Sequence, residues 1–164
     1  MNPRALFLDR DGTVIEEVNH LTKIEQIKLI PEMLDIMKVA QSMGYFLILI
    51  TNQSVVARGW ITEDELEDIH HYLVEELKTK GIIMDGIYYC PHHFGEGKGK
   101  YKIVCDCRKP KPGLILKAAE DFNVDLKNSI MVGDHLTDIE AAIEAGCRYF
   151  HFNGENYREL EKLL

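Results

Sequence analysis

The sequence lacks the features of a membrane-bound or exported protein. No apolar run approaches the ~20 residues that a membrane-spanning helix needs. Residues 1–4 lead directly into a short apolar run, and they contain neither the apolar core nor the small-residue cleavage site of a signal peptide. We therefore expect a cytoplasmic protein that has no membrane partner.

An excess of positive charge is also missing. The chain has 19 Lys and Arg residues against 27 Asp and Glu residues, which gives a formal net charge of −8. A chain of this sign is unsuited to binding phosphate backbones, so we expect no nucleic-acid partner. The sequence contains no internal repeat, low-complexity tract or linker. Its 164 residues therefore predict a single domain over 1–164, which we expect to be a monomer.

Cysteine is scarce, but three of the four cysteines occur close together with a histidine. This set supplies three thiolates and one imidazole: Cys90, His92, Cys105 and Cys107. Because disulfides are rare in the cytoplasm, the spacing predicts a closed, structural Zn²⁺ site that pins a loop at about residues 90–112. His93 is an alternative ligand to His92. Cys147 lies in a predicted strand and is interpreted as a buried apolar residue.

What the sequence does contain is a regular alternation of apolar runs and helical patterns. Strands are predicted at residues 5–8, 45–50, 87–89, 129–132 and 147–152, and helices at 31–43, 63–80, 112–122, 137–145 and 155–164. This alternation predicts an α/β fold of three layers with a parallel central sheet. In such sheets the functional site lies at the C-terminal ends of the strands.

Two carboxylates follow the first predicted strand. Asp9 and Asp11 are two residues apart, so both can approach one point beyond the strand end. Two carboxylates there suit Mg²⁺. They also suit covalent phosphoryl transfer, in which one attacks phosphorus while the other moves a proton to the leaving group and later from water. An acidic turn or a calcium loop would share this pattern, so residues further along the chain are needed to distinguish these possibilities.

Polar residues also end two further predicted strands. Thr51 and Asn52 follow the second strand, and Asp134 follows the fourth. Thr51 offers a hydroxyl and Asn52 an amide to phosphate oxygens, while Asp134 offers a third carboxylate to a metal. A strand-end turn and a helix N-cap would explain them singly. Their coincidence at one sheet edge favours a site.

Three cations follow the predicted zinc ligands. Arg108, Lys109 and Lys111 precede a helix that starts at a proline. A zinc-pinned loop could hold Arg108 and Lys109 over the acidic pocket, where they would balance the charge of a phosphate in the transition state. The alternative is a solvated basic turn.

The residues together resemble a known family. Residues 9–13, Thr51, a lysine within 109–111 and the Gly133-Asp134-x-x-x-Asp138 pattern resemble the four motifs of the haloacid dehalogenase (HAD) superfamily of phosphatases. Four further stretches resemble the D-glycero-D-manno-heptose-1,7-bisphosphate 7-phosphatases, and the related histidinol-phosphate phosphatases share the zinc loop. These stretches are residues 51–54, 57–59, 88–93 and 105–110.

The resemblance implies a Rossmann-like HAD fold without a large cap domain, and it implies roles for single residues. Asp9 is implied to be the nucleophile and Asp11 the proton donor. Mg²⁺ would bind Asp9, the backbone carbonyl of Asp11 and Asp134. Lys109 would steady the phosphoryl group.

The resemblance also implies a phosphorylated sugar as substrate. Thr51 and Arg108 would contact it, and the reaction would serve nucleotide-activated heptose biosynthesis. A bisphosphate brings a second phosphate that needs a cation, for which the candidates are Arg108, Arg58 and His135. The alternatives are a histidinol-phosphate phosphatase, another sugar-phosphate phosphatase, or a zinc-pinned protein that binds a phosphorylated ligand without turning it over.

The sequence departs from the heptose phosphatase pattern in one stretch and at two single positions. Residues 17–21 read Glu-Val-Asn-His-Leu where the family often has a Gly-Tyr-Val-like stretch. Val55 replaces a usual glycine, and His135 replaces a usual lysine. These departures bear on which sugar is recognised, so Glu17 and His20 are further candidates for substrate binding.

Overall fold

The computed structural model describes residues 2–164, which form a five-stranded sheet flanked by helices. The strands are β1 (Arg4–Leu8), β2 (Tyr45–Asn52), β3 (Gly86–Cys90), β4 (Ile130–Gly133) and β5 (Arg148–His151). The helices are α1 (Pro31–Ser42), α2 (Ser54–Ala57), α3 (Glu63–Thr79), α4 (Gly113–Phe122), α5 (Leu136–Ala145) and α6 (Tyr157–Glu161).

The sheet is parallel, with the spatial order β3-β2-β1-β4-β5. β1 therefore lies in the middle, where Leu8 pairs with Leu49 on one side and with Val132 on the other. The C-terminal ends of β1, β2 and β4 lie side by side at one edge. The predicted parallel α/β architecture is confirmed.

The core has two halves because alternate residues of each strand point to opposite faces of the sheet. From β1, Leu6 and Leu8 pack with residues of α1 and α3, whereas Ala5 and Phe7 pack with residues of α4 and α5. All four are completely buried. A strand covered on both faces explains the continuous apolar runs in the sequence, and the layers hold the end of β1 rigidly.

The helix ends follow local signals. Pro31 is the first residue of α1, where its missing N–H costs nothing. Thr62 and Glu65 form the predicted capping box at the start of α3. The short helix α2, which follows β2 directly, was not predicted. No helix within residues 2–164 has both the length and the apolar character required to cross a bilayer.

Candidate active site

Two carboxylates meet a buried lysine at the C-terminal end of β1. The Nζ atom of Lys109 donates to Oδ1 of Asp9 at 2.9 Å and to Oδ1 of Asp138 at 2.5 Å. A third hydrogen bond, of 2.8 Å, reaches the carbonyl oxygen of Ile50. All three protons of the ammonium are therefore engaged. Lys109 fixes the Asp9 carboxylate and places a positive charge beside it.

The charge of Lys109 is favoured in this setting. Burial alone would lower its pKa, but the Asp9 and Asp138 carboxylates outweigh burial and raise the pKa. Asp138 is itself fixed, because its Oδ2 accepts the backbone N–H of His135 at 3.1 Å. The sequence showed Asp138 only as part of a motif, without a role. Its role as the anchor of Lys109 emerges from the folded contacts.

Asp134 follows β4 and adds a carboxylate beside Asp9. One possible ligand atom from each of Asp9, Asp134, His135 and Asp138 lies within 4.8 Å of the others. Burial, together with the charge of Asp9, raises the pKa of Asp134 to about 6. Its Oδ1 lies 3.0 Å from Nδ1 of His135. Partial burial opposes a charge on this imidazole, but Asp134 outweighs burial and raises the pKa of His135.

The donor set of this cluster fits Mg²⁺. Three carboxylates, those of Asp9, Asp134 and Asp138, come together here, and the ammonium of Lys109 pairs with two of them, Asp9 and Asp138. The uncompensated charge contributes to the raised pKa of Asp134, and a divalent cation would remove that cost. Oxygen ligands of this kind are those that Mg²⁺ prefers. Within the described residues, the side chain of Asp11 lies outside this ligand group.

The side chain of Asp11 is instead held by Arg10, which is completely buried. The Nε and Nη2 atoms of Arg10 lie 3.1–3.3 Å from the oxygens of Asp11. Gln53 donates from Nε2 to Oδ2 of Asp11 at 2.9 Å and accepts from Nη2 of Arg10 at 2.8 Å. Sequence reasoning assigned no role to Arg10 or Gln53. An arginine between two aspartates at the end of a buried strand was the signal for Arg10.

The hydroxyl of Thr51, at the end of β2, is engaged by a neighbouring side chain. This residue was expected to offer its hydroxyl to phosphate, yet it is completely buried, and its Oγ1 accepts from Nε2 of Gln53 at 2.8 Å. Residues 51 and 53 are two apart, which lets the longer Gln53 side chain engage the hydroxyl. Asn52 binds the main chain of Lys109 twice, donating to its carbonyl and accepting from its N–H at 3.0 Å each.

A cavity of about 490 Å³ opens over these groups. The predicted substrate-binding residues that line it are Glu17, His20, Asn52, Arg108 and His135. Asp9, Asp11 and Lys109 line it as well. The Arg108 guanidinium donates to the carbonyl of His92 at 3.3 Å, which ties it to the cysteine-bearing loop. The ring of His20 packs edge-on against Trp60, with centroids 5.2 Å apart.

Arg58 lies elsewhere, outside the residues found to line this cavity in the described chain. Its Nη1 is 3.4 Å from Oε2 of Glu96, and its guanidinium lies 5.3 Å from the ring centroid of Trp60. Arg58 directly follows helix α2, which the sequence did not reveal, and its Nε lies 3.4 Å from Oγ of Ser54, a residue of that helix that does line the cavity. Its predicted contact with a second phosphate would require it to leave Glu96.

The four predicted zinc ligands come together where β3 ends. Their ligand atoms all lie within 4.8 Å of one another: the sulfurs of Cys90, Cys105 and Cys107, and Nδ1 of His92. The neighbouring thiol of Cys90 lowers the pKa of Cys107 to about 5, while the same contact raises the pKa of Cys90. Three thiols and one imidazole around a common point fit Zn²⁺.

His93 is turned away from this cluster. Its Nδ1 accepts the backbone N–H groups of Gly95 and Glu96 at 3.1 and 3.0 Å. His92 is therefore the histidine that faces the three thiols. Cys147 is buried in the half of the core that contains Phe7, as expected of a small apolar residue.

Comparisons with known proteins agree with this geometry. The HAD-hydrolase-like family model matches residues 106–161. The chain is 44% identical over 142 residues to the D-glycero-beta-D-manno-heptose-1,7-bisphosphate 7-phosphatase of Haemophilus influenzae, an alignment that covers 87% of this chain and 77% of the relative. It is 40% identical over 141 residues to the protein of the same name from Escherichia coli K12, with 86% and 74% covered.

A solved structure extends the similarity to three dimensions. The D,D-heptose 1,7-bisphosphate phosphatase from B. bronchiseptica, complexed with magnesium and phosphate, superimposes with a TM-score of 0.80 at 32% identity. The match covers 96% of this chain and 86% of that one.

Proposed function

Because the chain belongs to the D-glycero-beta-D-manno-heptose-1,7-bisphosphate 7-phosphatase family of HAD-like hydrolases and is a phosphoric monoester hydrolase, we propose that it removes the 7-phosphate of D-glycero-D-manno-heptose 1,7-bisphosphate. The observation that carries the proposal is the meeting of Asp9, Lys109 and Asp134 at a cavity whose lining includes Arg108. Catalytic carboxylates and a remote cation are what hydrolysis of a bisphosphate requires.

The proposed reaction starts at Asp9. Because Lys109 holds Oδ1, Oδ2 attacks phosphorus, and the bond between phosphorus and the sugar oxygen breaks to leave an aspartyl-phosphate. Asp11 gives its proton to the departing sugar oxygen. It then takes a proton from the water that hydrolyses the aspartyl-phosphate, so both products leave and Asp9 is restored. The charge of Lys109 stabilises the phosphoryl group during both steps.

We assign a Mg²⁺ site to Asp9, Asp134 and the backbone carbonyl of Asp11. When bound, the ion would neutralise charge on the phosphoryl oxygens. Asp134 is suited to this task because its carboxylate is crowded by Asp9 and has no ammonium of its own among its contacts in the described chain. The magnesium and phosphate named with the B. bronchiseptica structure support the assignment.

Recognition of the sugar is assigned to the lining of the cavity. Arg108 is the proposed partner of the second phosphate, because its guanidinium is held at the cavity by the His92 carbonyl. Glu17, His20 and His135 are the proposed contacts to the sugar. For Asn52 and Thr51 the contacts support indirect roles, through Lys109 and Gln53 respectively. Arg58 is a weaker candidate, since Glu96 already engages it.

Zinc is proposed as a structural ion held by the four-residue cluster that ends β3. Two of its ligands, Cys105 and Cys107, directly precede Arg108 and Lys109, so the ion would fix the segment that carries both cations. We further propose that the chain is a single, monomeric domain that works in the cytoplasm, in nucleotide-activated heptose biosynthesis.

The test is a phosphate-release assay on purified protein. The substrates are both anomers of the heptose 1,7-bisphosphate, histidinol phosphate and a small aryl phosphate, each with Mg²⁺ and with chelator. We expect rapid release of one phosphate from the bisphosphate, only in Mg²⁺, and NMR of the product places the loss at C7. Faster hydrolysis of histidinol phosphate would overturn the sugar assignment, and release that is independent of Mg²⁺ would overturn the metal assignment.

A further inference from the structure

A histidine remote in sequence touches the buried arginine that holds Asp11. His70 lies on α3, far from any site motif, and is only 4% exposed. Its Nε2 lies 3.1 Å from Nη1 of Arg10. Because an arginine guanidinium can only donate hydrogen bonds, Nε2 must be the acceptor, and the ring is neutral with its proton on Nδ1. Burial, together with the charge of Arg10, lowers the pKa of His70 to about 3.

The nitrogen atoms of the Arg10 guanidinium contact different partners. Nε and Nη2 face the carboxylate of Asp11, and Nη2 also meets Gln53. Nη1 meets His70. Since the guanidinium is planar and rigid, fixing Nη1 fixes the plane that the Asp11 carboxylate must match. A carboxylate held through both of its oxygens cannot rotate freely about its last torsion.

We propose that His70 is a positioning residue for proton transfer, which acts through Arg10 to orient Asp11 toward the leaving oxygen. The proposal rests on the assignment of Asp11 as the proton donor in the reaction above. His70 itself is buried and is not among the described residues found to line the cavity. Its contribution therefore falls on the step in which the proton of Asp11 passes to the oxygen that leaves phosphorus.

This role predicts an effect that depends on the leaving group. A poor leaving group, such as the phenolate of phenyl phosphate, needs a proton as its bond to phosphorus breaks, whereas the more acidic 4-nitrophenolate departs with little help. The two substrates have nearly the same shape. The ratio kcat/KM covers events only up to departure of the leaving group, so later hydrolysis of the aspartyl-phosphate does not mask the effect.

The experiment compares both substrates in the full-length protein with Mg²⁺. In His70→Leu, which removes the acceptor, we expect kcat/KM to fall about tenfold or more for phenyl phosphate but less than about threefold for 4-nitrophenyl phosphate. His70→Gln places an amide oxygen near the position of Nε2 and should restore the wild-type ratio. The matched control is His71→Leu on the exposed side of the same helix, which should leave both values unchanged.

The outcomes separate this proposal from the proposed function. An equal loss on both substrates, or no loss on either, would overturn the positioning role while leaving the phosphatase intact. A wild-type protein inactive on both aryl phosphates and on the heptose bisphosphate would overturn both. If His70→Leu does not fold, as judged by its thermal unfolding, the comparison passes to His70→Gln and the shorter His70→Asn. The first must keep the wild-type ratio and the second must lose it, and any other result refutes the proposal.

Discussion

The carboxylate of Asp134 lies against the α-carbon of Gly12, where an added β-carbon would overlap its Oδ2 atom. Gly12 also has a φ of +77°, in the left-handed region that favours glycine. Gly12→Ala should therefore displace the proposed magnesium ligand, and we expect the Mg²⁺ concentration for half-maximal activity to rise about tenfold or more. A Mg²⁺ titration of phosphate release measures this.

The matched control is Gly44→Ala. Gly44 has a similar φ of +81°, but the described chain places nothing within 4 Å of its added β-carbon. It should lose stability without a change in Mg²⁺ dependence. Equal Mg²⁺ dependence in both variants would contradict the placement of Asp134 at the metal.

The two aspartates of the first motif should differ in severity when they are changed. Asp9→Asn removes the attacking oxygen, so turnover should vanish. Asp11→Asn removes only proton transfer, so kcat should fall by about 10²–10⁴-fold and less for good leaving groups. Phosphate release measures both, while circular dichroism and zinc content report retention of the fold. An Asp9→Asn protein that remained active would rule out the covalent route.

Loss of a zinc ligand should reduce activity indirectly. The purified protein should contain about one zinc per chain. In Cys105→Ser or Cys107→Ser the zinc should be lost, and hydrogen exchange should become faster across residues 90–112. Because that segment presents Arg108 and Lys109, kcat should fall as well. Cys147→Ala, which removes a thiol outside the cluster, is the control and should keep its zinc.

Removal of Arg108 should affect substrates unequally. Arg108→Ala should raise KM for the heptose bisphosphate by about tenfold, because only this substrate has a remote phosphate for the guanidinium to hold. The KM for phenyl phosphate should change little. Arg58→Ala removes the same charge from a position engaged by Glu96, and it should change neither value by more than about twofold. A larger effect from Arg58→Ala would assign the second phosphate to Arg58 instead.

The buried, neutral His70 should make stability depend on pH. Its pKa falls from 6.5 when unfolded to about 3 when folded, with Arg10 as the charged group and Tyr89 as the titratable group facing it. Between pH 6.5 and about 3, His70 is therefore protonated in the unfolded chain but neutral in the folded chain, so the free energy of unfolding falls as the pH decreases. Between pH 7 and 5, wild type should lose about 2 kcal/mol more than His70→Gln. Urea unfolding at both pH values measures this, and equal losses would contradict a neutral His70.

Most of the fold could be predicted because it depends on local patterns. The apolar run at residues 45–50 and the capping box of Thr62 and Glu65 mark a buried strand and a helix start without any tertiary information. Because the strands of a parallel sheet all end at the same edge, the polar residues that follow them could be predicted to lie close together. A helix of four residues such as α2 has no measurable period, so it left no pattern to recognise.

The side-chain pairings of the site could not be predicted in the same way. Asn52 and Lys109 are 57 residues apart, and nothing in either stretch shows that the amide binds the lysine backbone. Thr51 was predicted to bind phosphate because it carries a hydroxyl group. The hydrogen bond that Gln53 donates to this hydroxyl is visible only in the folded chain. Residue types thus predicted which polar groups gather at the strand ends, while the contacts show which of them line the cavity.

The segment from Cys105 to Lys109 has a consequence for where the chain can change in length. Only Arg108 separates Cys107, a member of the cysteine cluster, from Lys109. Because a residue spans at most about 3.6 Å, an inserted residue at this point would displace the Lys109 ammonium from its hydrogen bonds with Asp9 and Asp138. Residues 102–104, on the other side of Cys105, are exposed. Added chain there lengthens only the closed loop between the two ligand pairs, at a cost that grows slowly with its length. A peptide tag or a fluorescent label inserted at residues 102–104 should leave the catalytic centre undisturbed.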